Sequence, residues 1–176
     1  ARDLFPEASV DRLDLDTISK KGSLESVLGR FAKKKTDILI GTQIVAKGLD
    51  FANVGLVGIV NADASLNIPD FRSAERTFQL VTQASGRSGR GNEPGKVIIQ
   101  TSQPENYALL CSADNNYKAF YEQELSVREL SGYPPFSDIF ALTVMDEDAD
   151  KAKKSAERCA NWLRKKLGSG ISALGP

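Results

Sequence analysis

The chain has 176 residues, 41% hydrophobic and 26% charged, which gives room for one domain with a real core, or for one domain and a piece of another. Lysine plus arginine equals aspartate plus glutamate at 23 each, so any basic binding site must be local rather than spread over the surface. With no histidine and two cysteines, the chain cannot build Ser-His or Cys-His nucleophiles or a closed structural zinc site, and any chemistry must rest on carboxylates, arginines and a bound metal-nucleotide.

Val10 to Asp16 alternates apolar and acidic residues and predicts a short strand. Leu24, Val27, Leu28 and Phe31 fall at i, i+3, i+4 and i+7, one face of a helix, with Ser23 as its expected N-cap. Lys33, Lys34 and Lys35 close that helix, where cations suit the dipole. They could also touch a nucleic-acid backbone, but a solvated helix end is the simpler role. Asp37 to Ile40 predicts a second strand, ended by Gly41-Thr42. Val54 to Val60, rich in valine and isoleucine, predicts a strand buried on both faces. Ala64 to Phe71, which carries Pro69, predicts an irregular loop. Ser73 to Ala84 predicts a helix with Ala74, Phe78, Val81 and Ser85 inward. Gly95 to Thr101 predicts a further strand.

Strands alternating with helices at this spacing mean an α/β layer with a mostly parallel sheet flanked by helices. Ligands of such sheets sit beyond the carboxyl ends of the strands, which directs attention to Thr42, to Asp63 and to the loop after each. Glu105 to Ser112 and Tyr117 to Leu130 predict two more helices. The run Gly132 to Phe136, with two prolines, is the expected domain boundary, dividing 1–133 from 134–176. Ser137 to Met145 alternates as a strand would. Ala152, Ala156, Cys159, Ala160, Leu163 and Leu167 then line a long amphipathic helix. A strand, a helix and a stub make a partial α+β domain. Ala1 opens the chain without methionine and Leu174-Gly175-Pro176 closes it, so it reads as a fragment. No apolar run is long enough to span a membrane, and no signal peptide is recognisable. Cys111 and Cys159 fall in helical patterns and are expected as thiols, which favours a reducing cytoplasm.

Two stretches carry candidate chemistry. Gln83 to Gly91, QASGRSGRG, sets a glutamine and then two arginines, Arg87 and Arg90, each just after a glycine at the end of a helix. Arginine presents a flat fork of donors suited to phosphate oxygens. From these residues alone a polyphosphate grip and a solvated helix end both remain open. Gly41 to Asp50, GTQIVAKGLD, follows a strand end. There the Thr42 hydroxyl and backbone N–H groups can take a nucleic-acid phosphate, Lys47 can add charge, Gly48 allows close backbone approach, and Asp50 can accept from a ribose hydroxyl. The segment Gly91 to Val97 is no P-loop: it is one residue short between its glycines, has Val97 where a metal-binding hydroxyl is required, and leads into a strand instead of a helix.

Together, GTQIVAKGLDF and the later Q-x-x-GR-x-GR resemble motifs V and VI of the superfamily 2 helicases. The runs LVGIVNADASLNIPDFRSAERTFQLVTQASGRSGRG, EPGKVIIQT and ELSGYPPFSDIFAL narrow the resemblance to the PriA-type replication-restart DNA helicases, over roughly Leu4 to Phe140. Leu49 and Ala52 depart from the common KGHDFP form. The resemblance implies that 1–133 is most of a second RecA-like helicase lobe with trailing helices, and that 134–176 begins a C-terminal domain.

It further implies an ATP-dependent 3′-to-5′ DNA helicase acting in fork restart and primosome assembly. Arg90 would be an arginine finger, Arg87 and Gln83 would assist it, Gly48 and Asp50 would line the ATP cleft, and Thr42 and Lys47 would hold the DNA backbone. ATP and magnesium would be held mainly by a first lobe bearing the Walker motifs, and no metal by this chain. Zinc would belong to the full-length family only. Forked or single-stranded DNA, primosome proteins and single-strand DNA-binding protein would be partners, at the nucleoid in the cytoplasm. Without the Walker motifs the chain alone is expected to be inactive. The alternatives are another superfamily 2 helicase or translocase lobe, or a non-catalytic DNA-binding module derived from one.

Overall fold

The computed structural model describes residues 1–14, 23–42, 54–86, 95–168 and 170–175. Contacts divide the chain into Ala1–Gly132 and Tyr133–Pro176. The first unit opens with strand β1 (Val10–Leu13), helix α1 (Ser23–Ala32) and strand β2 (Ile38–Gly41). The two strands pair in parallel from Val10 opposite Ile38 to Leu13 opposite Gly41, a pairing that demands a crossover, which α1 supplies. Polar ties hold this unit. Asp11 in β1 accepts from Arg30 Nε at 3.0 Å, Arg30 Nη2 at 2.8 Å and Thr36 Oγ1 at 2.6 Å. Ser9 donates from its backbone and hydroxyl to Asp37 at 2.8 and 2.6 Å, which pins the starts of both strands. The Ser23 side chain, expected as the N-cap, lies outside the described residues.

A second crossover follows. Strand β3 (Leu56–Ile59) pairs in parallel with β4 (Lys96–Ile99), and between them lie α2 (Asp63–Leu66) and α3 (Ser73–Ser85). The described strands form two two-stranded sheets. Ile59 and Ile99 pack on buried Ala62, Val81 and Leu109. Leu56 is 58% and Ile98 50% exposed, so the expectation of a strand buried on both faces is corrected. Side chains alternate across a strand, and only one face of this pair carries a described helix. The loop expected at Ala64 to Phe71 is corrected at its start, where Ala64 to Leu66 are helical, and is irregular from Asn67 to Phe71 as expected. Asn61 takes φ 60°, its side-chain oxygen accepts from Ala64 N at 3.2 Å, and the next residues close the single turn of α2.

Helices α4 (Tyr107–Ala113) and α5 (Tyr117–Ser131) complete the unit. Asn106 and Asn116 cap them by accepting from Ala108 N and Ala119 N, and Gly132 ends α5 in the left-handed region at φ 62°, where a side chain would be strained. The core between α3, α4 and α5 is built on Phe78, Ala108, Cys111 and Phe120, with Phe78 and Phe120 stacked at 4.2 Å. Within the second unit, α6 (Ala149–Lys166) starts at Asp148, whose carboxylate accepts from Asp150 N at 2.9 Å and Lys151 N at 3.2 Å. Arg164, Lys165 and Lys166 fill its last turn, where cations offset the dipole. The strand expected at Ser137 to Met145 is not formed among the described residues. Its alternation is present, but a strand exists only through a ladder partner, and none is described for it. No described helix is long and apolar enough to cross a membrane.

Candidate functional site

Parallel α/β layers hold ligands beyond the carboxyl ends of their strands, here the ends of β2 and β3. At the end of β2, Gly41 and Thr42 are exposed, and the Thr42 hydroxyl makes no hydrogen bond among the described residues. It is available to a phosphate oxygen. Lys47, Gly48 and Asp50 lie outside the described residues.

At the end of β3 the chemistry is different. Asp63 stands ready-made at a ligand position, yet its carboxylate is already spoken for. It accepts from Thr101 Oγ1 at 2.5 Å, Ser102 N at 2.8 Å and Ser102 Oγ at 2.7 Å. Those donors follow β4, and Ala62 N bonds Gln100 O at 3.0 Å beside them. Asp63 therefore ties the β3 and β4 ends together and is no ligand group. The Thr101 hydroxyl first, then the Ser102 N–H and hydroxyl, hold its carboxyl below the usual carboxylate range. A carboxyl depressed in the folded state stabilises the fold above its unfolded pKa and loses that contribution as pH falls through the folded value. Asp11 and Asp70 are depressed as well, by Arg30 and by Arg72 respectively. Thermal stability is accordingly expected to fall below about pH 4, and Asp63→Asn to lessen that fall. A melting series in acid that does not separate the two proteins would reject the tie.

Helix α3 is the other element aimed at the candidate chemistry. Asp70 organises its start, accepting from Arg72 N at 2.9 Å, Arg72 Nε and Nη2 at 3.0 Å each, and Arg76 Nη1 at 2.9 Å. A carboxylate suits a helix N-terminus. One turn on, Glu75 accepts from Arg128 Nη2 of α5 at 2.8 Å. Arg128 Nε also reaches Glu124 at 2.7 Å, Tyr107 donates to Glu124 at 2.5 Å, and Arg128 lies 5.1 Å over the Phe71 ring. Burial and then the Glu124 bond push the Tyr107 phenol up. None of this network was foreseen. The only signal for it is the density of opposite charges between Asp70 and Arg76.

The far end of α3 carries Gln83, exposed, on the last turn. Among the described residues its side chain makes no hydrogen bond. Gly86 follows at φ −65°, ψ −5°. A Cβ there would meet Thr82 O at 3.5 Å and Gln83 O at 3.7 Å, ordinary contacts, so the fold around Gly86 does not demand glycine. Arg87 and Arg90 lie outside the described residues. Thr42 and Gln83 belong to different crossovers, and no contact between them is described. Among the described residues no group of three or more His, Cys, Asp or Glu side chains stands together to hold a metal.

Comparison with known proteins adds a family. Residues 5–92 match the family described as helicase conserved C-terminal domain, a span that contains every candidate site residue. The chain is 48% identical over 173 residues to replication restart protein PriA of Bacillus subtilis, covering 98% of this chain and 22% of that protein. It is 43% identical over 166 residues to replication restart protein PriA of Chlamydia pneumoniae, covering 94% and 22%. With that of Synechocystis it shares 41% over 172 residues, covering 98% and 21%. The chain thus spans about one fifth of the length of these curated relatives.

Proposed function

This chain belongs to the helicase conserved C-terminal domain family, and from that membership we propose that residues 1–133 act as the second RecA-like lobe of an ATP-driven DNA motor, with 134–176 opening a further domain. The observation that carries the reading is the end of α3. An exposed Gln83 and a glycine the fold does not require lead directly into Arg87 and Arg90, as a helix end serving a nucleotide from outside would. The group fits on that ground: a bare Gly86 lets phosphate approach the backbone, and two guanidinium forks match its oxygens.

Bound with magnesium against a first lobe, ATP supplies the free energy of phosphoanhydride hydrolysis. The residues of this chain do the rest. Arg90 would meet the charge that develops on the transferred phosphoryl group, with Arg87 and Gln83 assisting at the nucleotide. Gly48 and Asp50 line the cleft, Asp50 toward the ribose. Thr42 and Lys47 hold phosphates of the tracked strand, so the segment between β2 and β3 touches both ligands and can couple nucleotide state to DNA grip. The likeness to replication restart proteins across nearly the whole chain supports the DNA motor over an unrelated superfamily 2 lobe or a non-catalytic binding module. Movement 3′-to-5′, work at stalled forks in the cytoplasm, and primosome and single-strand DNA-binding proteins as partners belong to the same proposal and rest on the resemblance of the sequence motifs.

Thr42→Ala tests the strand-end contact. Losing a hydrogen bond to a charged phosphate costs roughly 1.5 kcal/mol or more, so single-stranded DNA affinity should fall about tenfold while the fold is unchanged. Equal affinity of the variant and the parent, measured by titration of a labelled oligonucleotide, removes Thr42 from the DNA site.

A further inference from the structure

Helix α1 ends in an uncommon way. Lys33 N bonds Gly29 O at 3.2 Å, Lys34 N bonds Phe31 O at 3.0 Å and Lys35 N bonds Arg30 O at 2.9 Å. The last two are the paired 5→2 and 6→1 bonds of a helix stop whose pivotal residue must be left-handed. That residue is Lys34, at φ 56°. Elsewhere the chain gives such positions to residues that tolerate them: Gly132 at φ 62° after α5 and Asn115 at φ 50° after α4. Here it spends a lysine, at a strain glycine would avoid.

A second costly choice lies beside it. Gly29 sits inside α1 with nothing within 4 Å of where a Cβ would stand, and it weakens the helix to keep that surface bare. Gly29, Ser26 and Glu25 on the helix, with Arg30, Lys33 and Lys35, line a shallow groove of about 290 Å³. Lys33, Lys34 and Lys35 are all exposed and enter no ion pair among the described residues. Of the neighbouring acids, Asp11 is held by Arg30 and Thr36 and Asp37 by Ser9, while Glu25, exposed at the start of the helix, is the one carboxylate lining the groove among the described residues.

We propose that the Lys33–Lys35 turn, with the bare groove beside it, is a second nucleic-acid contact that grips the phosphate backbone of duplex DNA. The inference rests on the reading of this chain as a DNA motor lobe. Its position separates it from the strand-tracking end. The lysines precede β2 and Thr42 follows it, seven residues apart, up to roughly 23 Å along an extended run. Duplex DNA carries one charge per ~1.7 Å of axis, and each phosphate contact releases about 0.9 counterion from a duplex against about 0.7 from a single strand, so adjacent lysines gain more on a duplex. A motor that holds a single strand at Thr42 thereby holds a double-stranded arm at the opposite end of the same strand pair.

The test uses the 176-residue chain, a short duplex and the matching single strand, titrated by fluorescence anisotropy from roughly 50 to 200 mM salt. Lys33→Gln with Lys35→Gln should weaken duplex binding about tenfold at low salt and reduce the slope of log affinity against log salt by about 2. Single-strand affinity should stay within about twofold. Lys34→Gly should raise the melting temperature and still weaken duplex binding, whereas a turn that serves only as a helix stop would gain stability and lose nothing. An unchanged duplex slope, an equal loss on single strand, or no duplex binding by the parent chain overturns the proposal. Failure of the motor reading itself would show instead in Thr42 and Arg90 variants, which leave the lysines intact.

Discussion

Arg90→Ala is expected to lower DNA-stimulated ATP hydrolysis by a factor of about 10³ to 10⁵, measured in a protein that joins this chain to a lobe bearing the Walker motifs. That is about 4 to 7 kcal/mol of barrier. ATP binding should change little, because the guanidinium meets charge that is developed in the transition state and only weakly present in the ground state. The result should therefore appear in turnover and leave the nucleotide dissociation constant near its parent value. Arg90→Lys should recover only a small part of the loss, since an ammonium offers a point charge without the planar fork. Near-normal turnover of Arg90→Ala would sink the finger assignment. A matching loss of nucleotide affinity would make Arg90 a ground-state binder.

The parts of this molecule that could be read in the sequence are those whose cause is local. The period of Ala74, Phe78 and Val81 anticipated the inner face of α3, where Phe78 and Val81 are buried. Runs rich in valine, isoleucine and leucine anticipated β2 and β3, and the crossovers between strands anticipated parallel pairing. Thr42 and Gln83, picked from motif spacing, are exposed at a strand end and a helix end. Lys47, Gly48, Asp50, Arg87 and Arg90 lie outside the described residues, so their roles rest on sequence alone.

What escaped has a distant or conformational cause. Asp63 reads as a free acid until Thr101 and Ser102, almost forty residues on, take both its oxygens. Lys34 reads as part of a solvated basic end until its backbone is seen to be left-handed. The alternating run Ser137 to Met145 has a pattern that only a partner strand could turn into a ladder. Helix α2, at four residues, is too short for any period to register.

Arg128 belongs to this second group, and removing it should have the largest effect on stability. It stands late in α5, fifty-three residues from Glu75, and its side chain is 14% exposed. Arg128→Ala leaves Glu124, 9% exposed at the side chain, as a nearly buried carboxylate with only the Tyr107 hydroxyl described beside it. Breaking a buried pair on one side costs about 3 to 5 kcal/mol, a drop in melting temperature of roughly 10 °C or more for a unit of this size.

Size alone does not explain that cost, and a second variant separates the causes. Arg128→Met keeps most of the apolar stem and removes the guanidinium, with its bonds to Glu75 and Glu124 and its place over the Phe71 ring. If the stranded carboxylate dominates, Arg128→Met should be nearly as unstable as Arg128→Ala, and adding Glu124→Gln should recover much of the loss. If packing of the stem dominates, Arg128→Met should be close to the parent and Glu124→Gln should change little. The buried geometry of Glu124 favours the first outcome. The consequence reaches the candidate site, because Glu75 and Asp70 fix the start of the helix whose other end presents Gln83. A loosened start should therefore lower motor turnover at temperatures well below melting, and full activity of Arg128→Ala at such temperatures would show that α3 needs no anchor at Glu75.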